Sequence, residues 1–160
     1  MTIKDHLLFM METNQLAIRQ LIDDISEEES MVQISNRFNH IRWQVGHIAY
    51  FDNKSLELFG GEVFDFTKWR KLFASKSELS NDPAVYPEMG ELRFSLYDVH
   101  RKLIETTNEL TDSDLERTFG SGDNEKPIWR PITFYCMHEF YHAGQITQIR
   151  RLLGRDRPFI

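Results

Sequence analysis

Residues 135–146 read YCMHEFYHAGQI, and the rest of the chain is best understood outward from this stretch. It contains no proline and places two histidines, His138 and His142, four positions apart. On a helix, residues four apart lie on the same face, one turn above the other. Two imidazoles so placed can bind one metal ion, each through a ring nitrogen about 2.0–2.1 Å from it. The stretch therefore predicts a helix with a metal-binding pair, and a helical bundle that brings a third histidine to it.

Length and composition are those of an ordinary globular protein. A chain of 160 residues has the size of one common domain, so a single domain over residues 1–160 is expected. Hydrophobic residues make up 41% and charged residues 28%, which argues against a disordered chain. No apolar run approaches the roughly 20 residues that cross a bilayer, and the first residues lack the apolar core of a signal peptide. These features predict a cytoplasmic protein that does not enter a membrane.

Charge and cysteine content exclude several classes of function. The formal net charge of −6 argues against nucleic acid as a partner, because nucleic-acid-binding proteins usually present a basic face. Four arginines do cluster near the C-terminus, at Arg150, Arg151, Arg155 and Arg157, where they suit the negative end of a helix dipole. The single cysteine, Cys136, excludes an internal disulfide and a cysteine-rich zinc site.

Four segments carry the three- and four-residue apolar spacing of bundle helices. The first is expected over residues 3–25 and the second over residues 40–59, ending at Gly60-Gly61. The third is expected to start near Pro87 and continue to residue 110. The fourth should begin near Pro131 or Thr133 and run to Leu153, ending at Gly154. Residues 62–87 interrupt the periodicity, with one short helix expected over residues 68–74. The fold class is therefore predicted to be all-α, a four-helix bundle with a long crossover between helices 2 and 3.

The predicted inward face of the fourth helix contains both histidines. Its members are spaced three and four residues apart: Tyr135, His138, His142, Gln145, Ile149 and Leu152. The two histidines therefore occupy positions where a simple bundle would use leucine. Buried imidazoles lose their hydration and need partners, and a shared cation provides one for both.

The same stretch also matches the zinc-peptidase motif His-Glu-x-x-His, with Glu139 as general base. Such peptidases take their third ligand downstream. The 18 residues after His142 contain no histidine, no glutamate and one aspartate, Asp156. Nor does the sequence predict the edge strand that these peptidases use to hold substrate. A peptidase is therefore disfavoured, and the third ligand is expected upstream.

Four histidines remain as candidates for that third ligand: His6, His40, His47 and His100. His40 and His47 are seven residues apart, so on one helix they lie roughly 10 Å apart, too far to share an ion. His47 lies in mid-helix among small and apolar neighbours. His6 begins a helix and His100 stands beside Arg101 and Lys102, so both are expected to be solvated.

Two of these segments resemble a known family. Residues 43–48, WQVGHI, and residues 138–146, HEFYHAGQI, resemble the DinB/YfiT-like metalloprotein superfamily, and the helix order and long crossover agree across the whole chain. The resemblance implies a four-helix bundle, commonly with paired subunits, around a three-histidine site for a divalent metal. Carried over by position, it implies that His47, His138 and His142 bind one zinc, nickel or iron(II) ion per chain. It also implies a homodimer.

The resemblance implies an activity as well. Some relatives are thiol-dependent S-transferases or isomerases that use bacillithiol, mycothiol or glutathione. A thiol S-transferase is therefore expected, with a small-molecule thiol and an electrophile as substrates. This fits the ligand set, since three neutral imidazoles leave the ion's charge intact and a position open, and coordination makes a thiol nucleophilic near neutral pH. The alternatives are a metal-dependent hydrolase and a non-catalytic metal-binding or stress-response bundle.

Two residues are candidates for a catalytic role. Gln145 follows His142 by three residues and is expected to support a histidine or face the substrate. Glu139 is a candidate general base, although its rotation of about 100° from His138 directs it toward a neighbouring helix. A fourth ligand from Asp52 or from residues 62–87 would instead favour a structural ion, because structural zinc normally has four protein ligands.

Overall fold

A computed structural model describes residues 2–59 and 65–156 of the chain. The helices are α1 (Ile3–Ile22), α2 (Ile41–Glu57), α3 (Phe66–Phe73), α4 (Met89–Glu109), α5 (Asp112–Leu115) and α6 (Trp129–Leu152). Single 3₁₀ turns occur at Glu29–Met31, Pro83–Val85 and Gly122–Asn124. The short strands β1 (Thr118–Phe119) and β2 (Lys126–Pro127) pair antiparallel. Among the described helices, none combines the length and apolar character that a membrane span requires.

The all-α four-helix bundle with a long crossover between its second and third helices is confirmed. The bundle helices are α1, α2, α4 and α6, and the crossover from α2 to α4 contains α3. The main packing partners of α1 are α4 and α6, and α2 packs against the same two helices. Hence α1 and α2, consecutive in the chain, lie diagonally across the bundle. The apolar spacing of each helix did not predict this order.

The first helix is shorter than expected, ending at Ile22 rather than near residue 25. At its start Thr2 and Asp5 form a capping box, which satisfies backbone N–H groups of the first turn. At its end, the side chain of Arg150 donates to the carbonyl of Leu21 at 2.8 Å and pairs with Asp24. Because the last carbonyls of a helix lack partners within it, this contact closes α1. Arg150 therefore joins α6 to α1, a more specific role than the dipole effect predicted for it.

The crossover places α3 over the face of α2 near its middle. The helix expected over residues 68–74 is found at Phe66–Phe73. The indole N–H of Trp43 on α2 donates to the carbonyl of Leu72 at 3.1 Å. The predicted stop of the second helix at Gly60-Gly61 lies outside the described residues; α2 ends at Glu57. The last turn of α3 is thus held against the part of α2 that carries His47.

The buried face of α6 is rotated from the predicted one. Its buried residues include Ile132, Cys136, Glu139, Ala143, Ile146 and Ile149. Leu152, expected to point inward, is 59% exposed, so that prediction is wrong. His138 and His142 therefore lie at the edge of the buried face, on the side toward α2, rather than at its centre. This rotation brings them to His47 and turns Glu139 toward the core.

An unusual cap at the start of α2 leads to a prediction of pH dependence. The Nδ1 atom of His40 accepts a hydrogen bond from the backbone N–H of Trp43 at 3.0 Å, and its Nε2–H donates to the carbonyl of Ser80 at 3.2 Å. Burial lowers the pKa of His40 to about 4. Between pH 6.5 and 4 the unfolded chain therefore holds up to one more proton at this position than the folded chain, and acidification destabilises the fold by at most about 1.4 kcal/mol per pH unit.

In His40→Asn this dependence on pH should be lost while the cap is kept, because asparagine is a good N-cap residue. Urea unfolding at pH 7, 6 and 5 should show a stability that falls less steeply in the variant than in the parent protein. Equal slopes would contradict a neutral, buried His40.

Candidate metal centre

Three histidines from two helices converge between α2 and α6. His47 lies in the middle of α2, and His138 and His142 lie one turn apart on α6. The Nε2 atom of His138 is 3.1 Å from Nε2 of His47 and 3.1 Å from Nε2 of His142. One nitrogen from each ring lies within 4.8 Å of the other two. The structure thus brings together the three residues that the resemblance implied, and we call them the histidine cluster.

Hydrogen bonds orient the two buried rings of the cluster. Nδ1 of His47 lies 2.5 Å from the carbonyl oxygen of Phe73, the last residue of α3. Nδ1 of His142 lies 3.3 Å from Oε1 of Gln44, whose own amide group donates to the carbonyl of Asn39 at 2.8 Å. An oxygen acceptor requires the proton on Nδ1. Both rings therefore present an unprotonated Nε2 to the centre of the cluster.

A cation fits this arrangement better than hydrogen bonds do. Two lone pairs, on His47 and His142, face Nε2 of His138, which can donate one proton to one of them at most. A shared cation would satisfy all three nitrogens. Two nitrogens bound at about 2.0–2.1 Å in a tetrahedral site lie about 3.3–3.4 Å apart, close to the 3.1 Å seen here. The histidine cluster could therefore hold a divalent metal ion.

Burial keeps the cluster neutral, as metal ligands must be. Desolvation lowers the pKa of His47 to about 4, against the opposing effect of the Phe73 carbonyl. It lowers the pKa of His142 to about 3, assisted by the two neighbouring histidines. The pKa of His138 is also lowered by burial. All three rings can thus offer a lone pair at neutral pH without first releasing a proton.

Aromatic side chains surround the cluster and leave one side open. The Trp43 indole stacks on His47 with ring centroids 4.3 Å apart, and Phe51 packs edge-on against His138 at 5.1 Å. His47 and His142 are buried, whereas His138 is partly exposed. The Phe134 ring stacks on His138 at 6.2 Å. Approach from solvent is therefore by way of His138.

A groove of about 500 Å³ adjoins this open side. Its lining is aromatic and basic, and comprises Phe51, Phe119, Lys126, Arg130, Pro131, Phe134 and Tyr135. Three of these, Phe51, Phe134 and Tyr135, belong to the aromatic cluster around His138. The described residues that line the groove include no acidic one, although the chain as a whole carries a net charge of −6. The groove is thus suited to an anionic molecule with an apolar part.

Two further candidates, Glu139 as general base and Asp52 as fourth ligand, lie beside His100, and for Glu139 this agrees with the predicted rotation toward a neighbouring helix. The carboxylate of Glu139 is 3.1 Å from Nε2 of His100, so it faces α4 rather than the histidine cluster. Asp52, considered as a fourth ligand, lies beside the same His100 at 3.0 Å. His100 is only 4% exposed, and the prediction that it is solvated is wrong. Within the described residues, the three-histidine group contains no carboxylate.

The oxygen that supports His142 belongs to Gln44. The role expected for Gln145, supporting a histidine or facing the substrate, stays a prediction. Gln44 is fully buried on α2, whereas Gln145 is partly exposed on α6. A sequence signal existed, since Gln44 precedes His47 by three residues and so shares its helical face. The Phe73 carbonyl that supports His47 had no such signal, because a backbone acceptor carries no side-chain signature.

Removing the Gln44 acceptor is expected to weaken metal binding without unfolding the chain. In Gln44→Met the His142 ring loses the oxygen that holds its proton on Nδ1. Loss of such a partner typically costs about 10–100-fold in metal affinity. A zinc titration against a competing chelator would measure this. The matched control is Gln145→Met, the same substitution on α6, which should leave affinity within about twofold; equal losses in the two variants would refute the assignment.

Comparison with known proteins agrees with this architecture. A family model described as the DinB superfamily matches residues 10–146. Among solved structures, the chain is similar to YfiT from Bacillus subtilis, which is described as a probable metal-dependent hydrolase with an unusual four-helix bundle topology. That match has a TM-score of 0.66 at 20% identity, and covers 96% of this chain and 89% of YfiT. No curated protein matches the chain.

Proposed function

The chain belongs to the DinB superfamily, and we propose on that premise that it is a metal-dependent enzyme acting on small anionic molecules. In this proposal His47, His138 and His142 hold one divalent ion. The observation that carries it is the convergence of three Nε2 atoms. In His47 and His142 the Nδ1–H group donates to an oxygen, so Nε2 carries a lone pair that faces the centre of the cluster. Three protein ligands leave an ion accessible to a further molecule, as in catalytic sites.

The first candidate reaction is thiol S-transfer. When bound, the ion would supply Lewis acidity, which lowers the pKa of a coordinating thiol toward neutrality. Lys126 and Arg130 would bind carboxylates of the thiol, and Phe51 and Phe134 would pack against the electrophile. Glutathione and bacillithiol carry carboxylates and match this groove.

Metal-dependent hydrolysis is the second candidate. It rests on the same open side of the cluster and on the description of YfiT as a probable metal-dependent hydrolase. The two reactions differ in the molecule that is activated, a thiol or water. In both, the groove residues would bind the same anionic, partly apolar class of substrate.

An activity panel with the metal-loaded protein would separate these candidates. Conjugation of glutathione or bacillithiol to monochlorobimane is expected, with loss of the conjugation rate in His138→Ala. Hydrolysis of p-nitrophenyl phosphate, an anionic ester with an apolar ring, that needs the metal but no thiol would favour the hydrolase. Zinc, nickel and iron(II) should each be tested, because three imidazoles suit all of them. Metal binding with neither activity would favour a non-catalytic bundle.

Removing the basic residues of the groove is expected to weaken substrate binding selectively. Arg130→Ala should raise KM for the thiol by at least about 10-fold and leave kcat nearly unchanged, because a hydrogen bond to a charged group contributes about 1.5–3 kcal/mol in both ground and transition state. Lys126→Ala should act in the same direction. Lys102→Ala, an α4 residue outside the groove, is the control. A fall in kcat with unchanged KM would contradict a binding role.

A homodimer and a cytoplasmic location remain predictions. Size-exclusion chromatography with light scattering would test the first.

A further inference from the structure

A second group of buried ligand-type side chains lies apart from the histidine cluster and shares none of its residues. Asp52 comes from α2, His100 from α4 and Glu139 from α6. Nε2 of His100 is 3.0 Å from Oδ2 of Asp52 and 3.1 Å from Oε1 of Glu139. One atom from each residue lies within 4.8 Å of the other two. Three bundle helices thus direct two carboxylates and an imidazole to one point, and we call this group the carboxylate cluster.

Hydrogen bonding leaves the carboxylate cluster incompletely satisfied. His100 Nε2 can direct one proton at one acceptor, and that proton goes to Glu139. Oδ2 of Asp52 faces the same nitrogen without hydrogen-bond geometry. Within the described part of the chain, Oε2 of Glu139 and Nδ1 of His100 also lack partners. Buried polar atoms are rarely left without partners, so these three require an explanation.

Two buried carboxylates share one imidazole in the carboxylate cluster. Among the described residues, the ion-pair partner of both carboxylates is His100. Ionising both carboxylates in the core is costly without a further cation, because their charges repel and neither is hydrated. A divalent cation with a neutral imidazole and the two carboxylates gives a net charge of zero. The same cation would contact Oδ2 of Asp52, which the proton leaves without a partner.

Space exists for an occupant of that size. A cavity of about 10 Å³ is lined by all three residues together with Met11, Ser55 and Leu103. A volume of about 10–15 Å³ on this measure accommodates one water-sized particle. Outside the carboxylate cluster, Ser55 and Tyr135 add hydroxyl groups to the lining, and the other described lining residues are Met11, Leu103, Ile132 and Cys136.

We propose that Asp52, His100 and Glu139 form a second divalent-cation site, distinct from the histidine cluster and selective for an oxygen-preferring ion such as Mn²⁺. Carboxylate ligands suit manganese and imidazole suits iron and zinc, so a site with two carboxylates and one imidazole favours harder ions than three imidazoles do. The second site is independent of the proposed enzymatic function, because its ligands are not those of the histidine cluster.

The experiment isolates the second site by removing the first. Full-length His47→Ala/His138→Ala/His142→Ala protein, stripped with a chelator, is equilibrated with Mn²⁺, and bound manganese is measured by the loss of the free-ion EPR signal. One Mn²⁺ per chain is expected. Adding Asp52→Asn and Glu139→Gln, which keep side-chain shape, should weaken binding at least 100-fold. The control adds Asp98→Asn and Glu105→Gln instead, which remove two α4 carboxylates at the surface and should leave binding unchanged.

A spectroscopic readout keeps the test decisive if the carboxylate variants do not fold. Electron spin-echo measurements on Mn²⁺ bound to the His47→Ala/His138→Ala/His142→Ala protein should show one coordinated imidazole nitrogen, that of His100. Failure of this protein to bind Mn²⁺, binding without a nitrogen ligand, or equal binding after Asp52→Asn and Glu139→Gln would each overturn the second site. None of these results bears on metal binding by the unaltered histidine cluster, which is tested separately by zinc titration.

Discussion

Replacing His47 with alanine is expected to remove zinc from the histidine cluster, although both histidines of α6 remain. Two imidazoles four residues apart form only part of the ligand set, and the third comes from α2. Loss of a direct ligand should cost more than the 10–100-fold typical of an outer partner, so affinity should fall by more than 100-fold. Equilibrium dialysis with Zn²⁺, or competition with a chelator, would measure the loss.

The loss of zinc affinity in His47→Ala should also reduce the stability that zinc adds to the folded protein. An ion that binds only the folded chain adds about 4 kcal/mol at a free concentration 1,000 times its Kd. The parent protein should therefore melt at a higher temperature with zinc than without it, and His47→Ala should lose most of that difference. His6→Ala removes an exposed histidine of α1 and is the matched control. If His47→Ala binds zinc as tightly as His6→Ala, then α2 contributes no ligand and the proposed centre is wrong.

Gly46→Ala is expected to destabilise the protein, although alanine is normally the better helix residue. A Cβ atom at position 46 would lie 2.2 Å from Cε1 and 2.3 Å from Cζ of Phe73. That ring is fully buried, so it has no free space to move into. Overpacking of a core costs about 1–3 kcal/mol and sometimes more, against a gain of about 1 kcal/mol from helix propensity. Because the overlap is severe, a net loss of about 2 kcal/mol is expected in urea unfolding.

The same substitution should also weaken metal binding. The carbonyl of Phe73 accepts the hydrogen bond that orients His47, so displacing Phe73 disturbs that ring. Zinc affinity should fall by about 10-fold, at the lower end of the range for an outer partner. A change of stability without any change of affinity would show that the Phe73 carbonyl does not control His47.

Two further variants separate this effect from helix propensity. Gly144→Ala makes the same change inside α6, where an added Cβ meets no atom within 4 Å. It should stabilise the protein by up to about 1 kcal/mol. Phe73→Leu in the Gly46→Ala background should recover part of the loss, with a coupling energy of about 1 kcal/mol or more. Destabilisation by Gly144→Ala, or additive effects of Gly46→Ala and Phe73→Leu, would refute the steric explanation.

The error at His100 shows how local context misleads. His100 was predicted to be solvated because Arg101 and Lys102 follow it in the sequence. Both are indeed at the surface, where they pair with Asp98, and Arg101 also pairs with Glu105. One step along a helix turns a side chain by about 100°, so charged neighbours in sequence do not report the environment of the residue beside them. The apolar spacing of α4 places Leu96, Val99 and Leu103 inward, and His100 lies on the same side.

The two glutamines illustrate a different limit. Gln44 and Gln145 each lie three residues from a histidine, so spacing alone makes them equal candidates for a supporting hydrogen bond. The rotation of α2 and α6 about their axes selects Gln44, which is buried and bonded to His142. That rotation follows from packing over the whole length of both helices. The spacing of neighbouring residues in the sequence therefore does not predict the rotation of either helix.

Properties that depend on neighbours within about one helical turn could be read from the sequence. These include the four bundle helices and the pairing of His138 with His142 on one face. Resemblance to a family, rather than spacing, singled out His47. Other features depend on contacts between residues far apart in the chain. They are the diagonal placement of α1 and α2, the support of His47 by the crossover, and the proximity of Asp52, His100 and Glu139. Such contacts exist only after helices pack, because packing sets which faces meet.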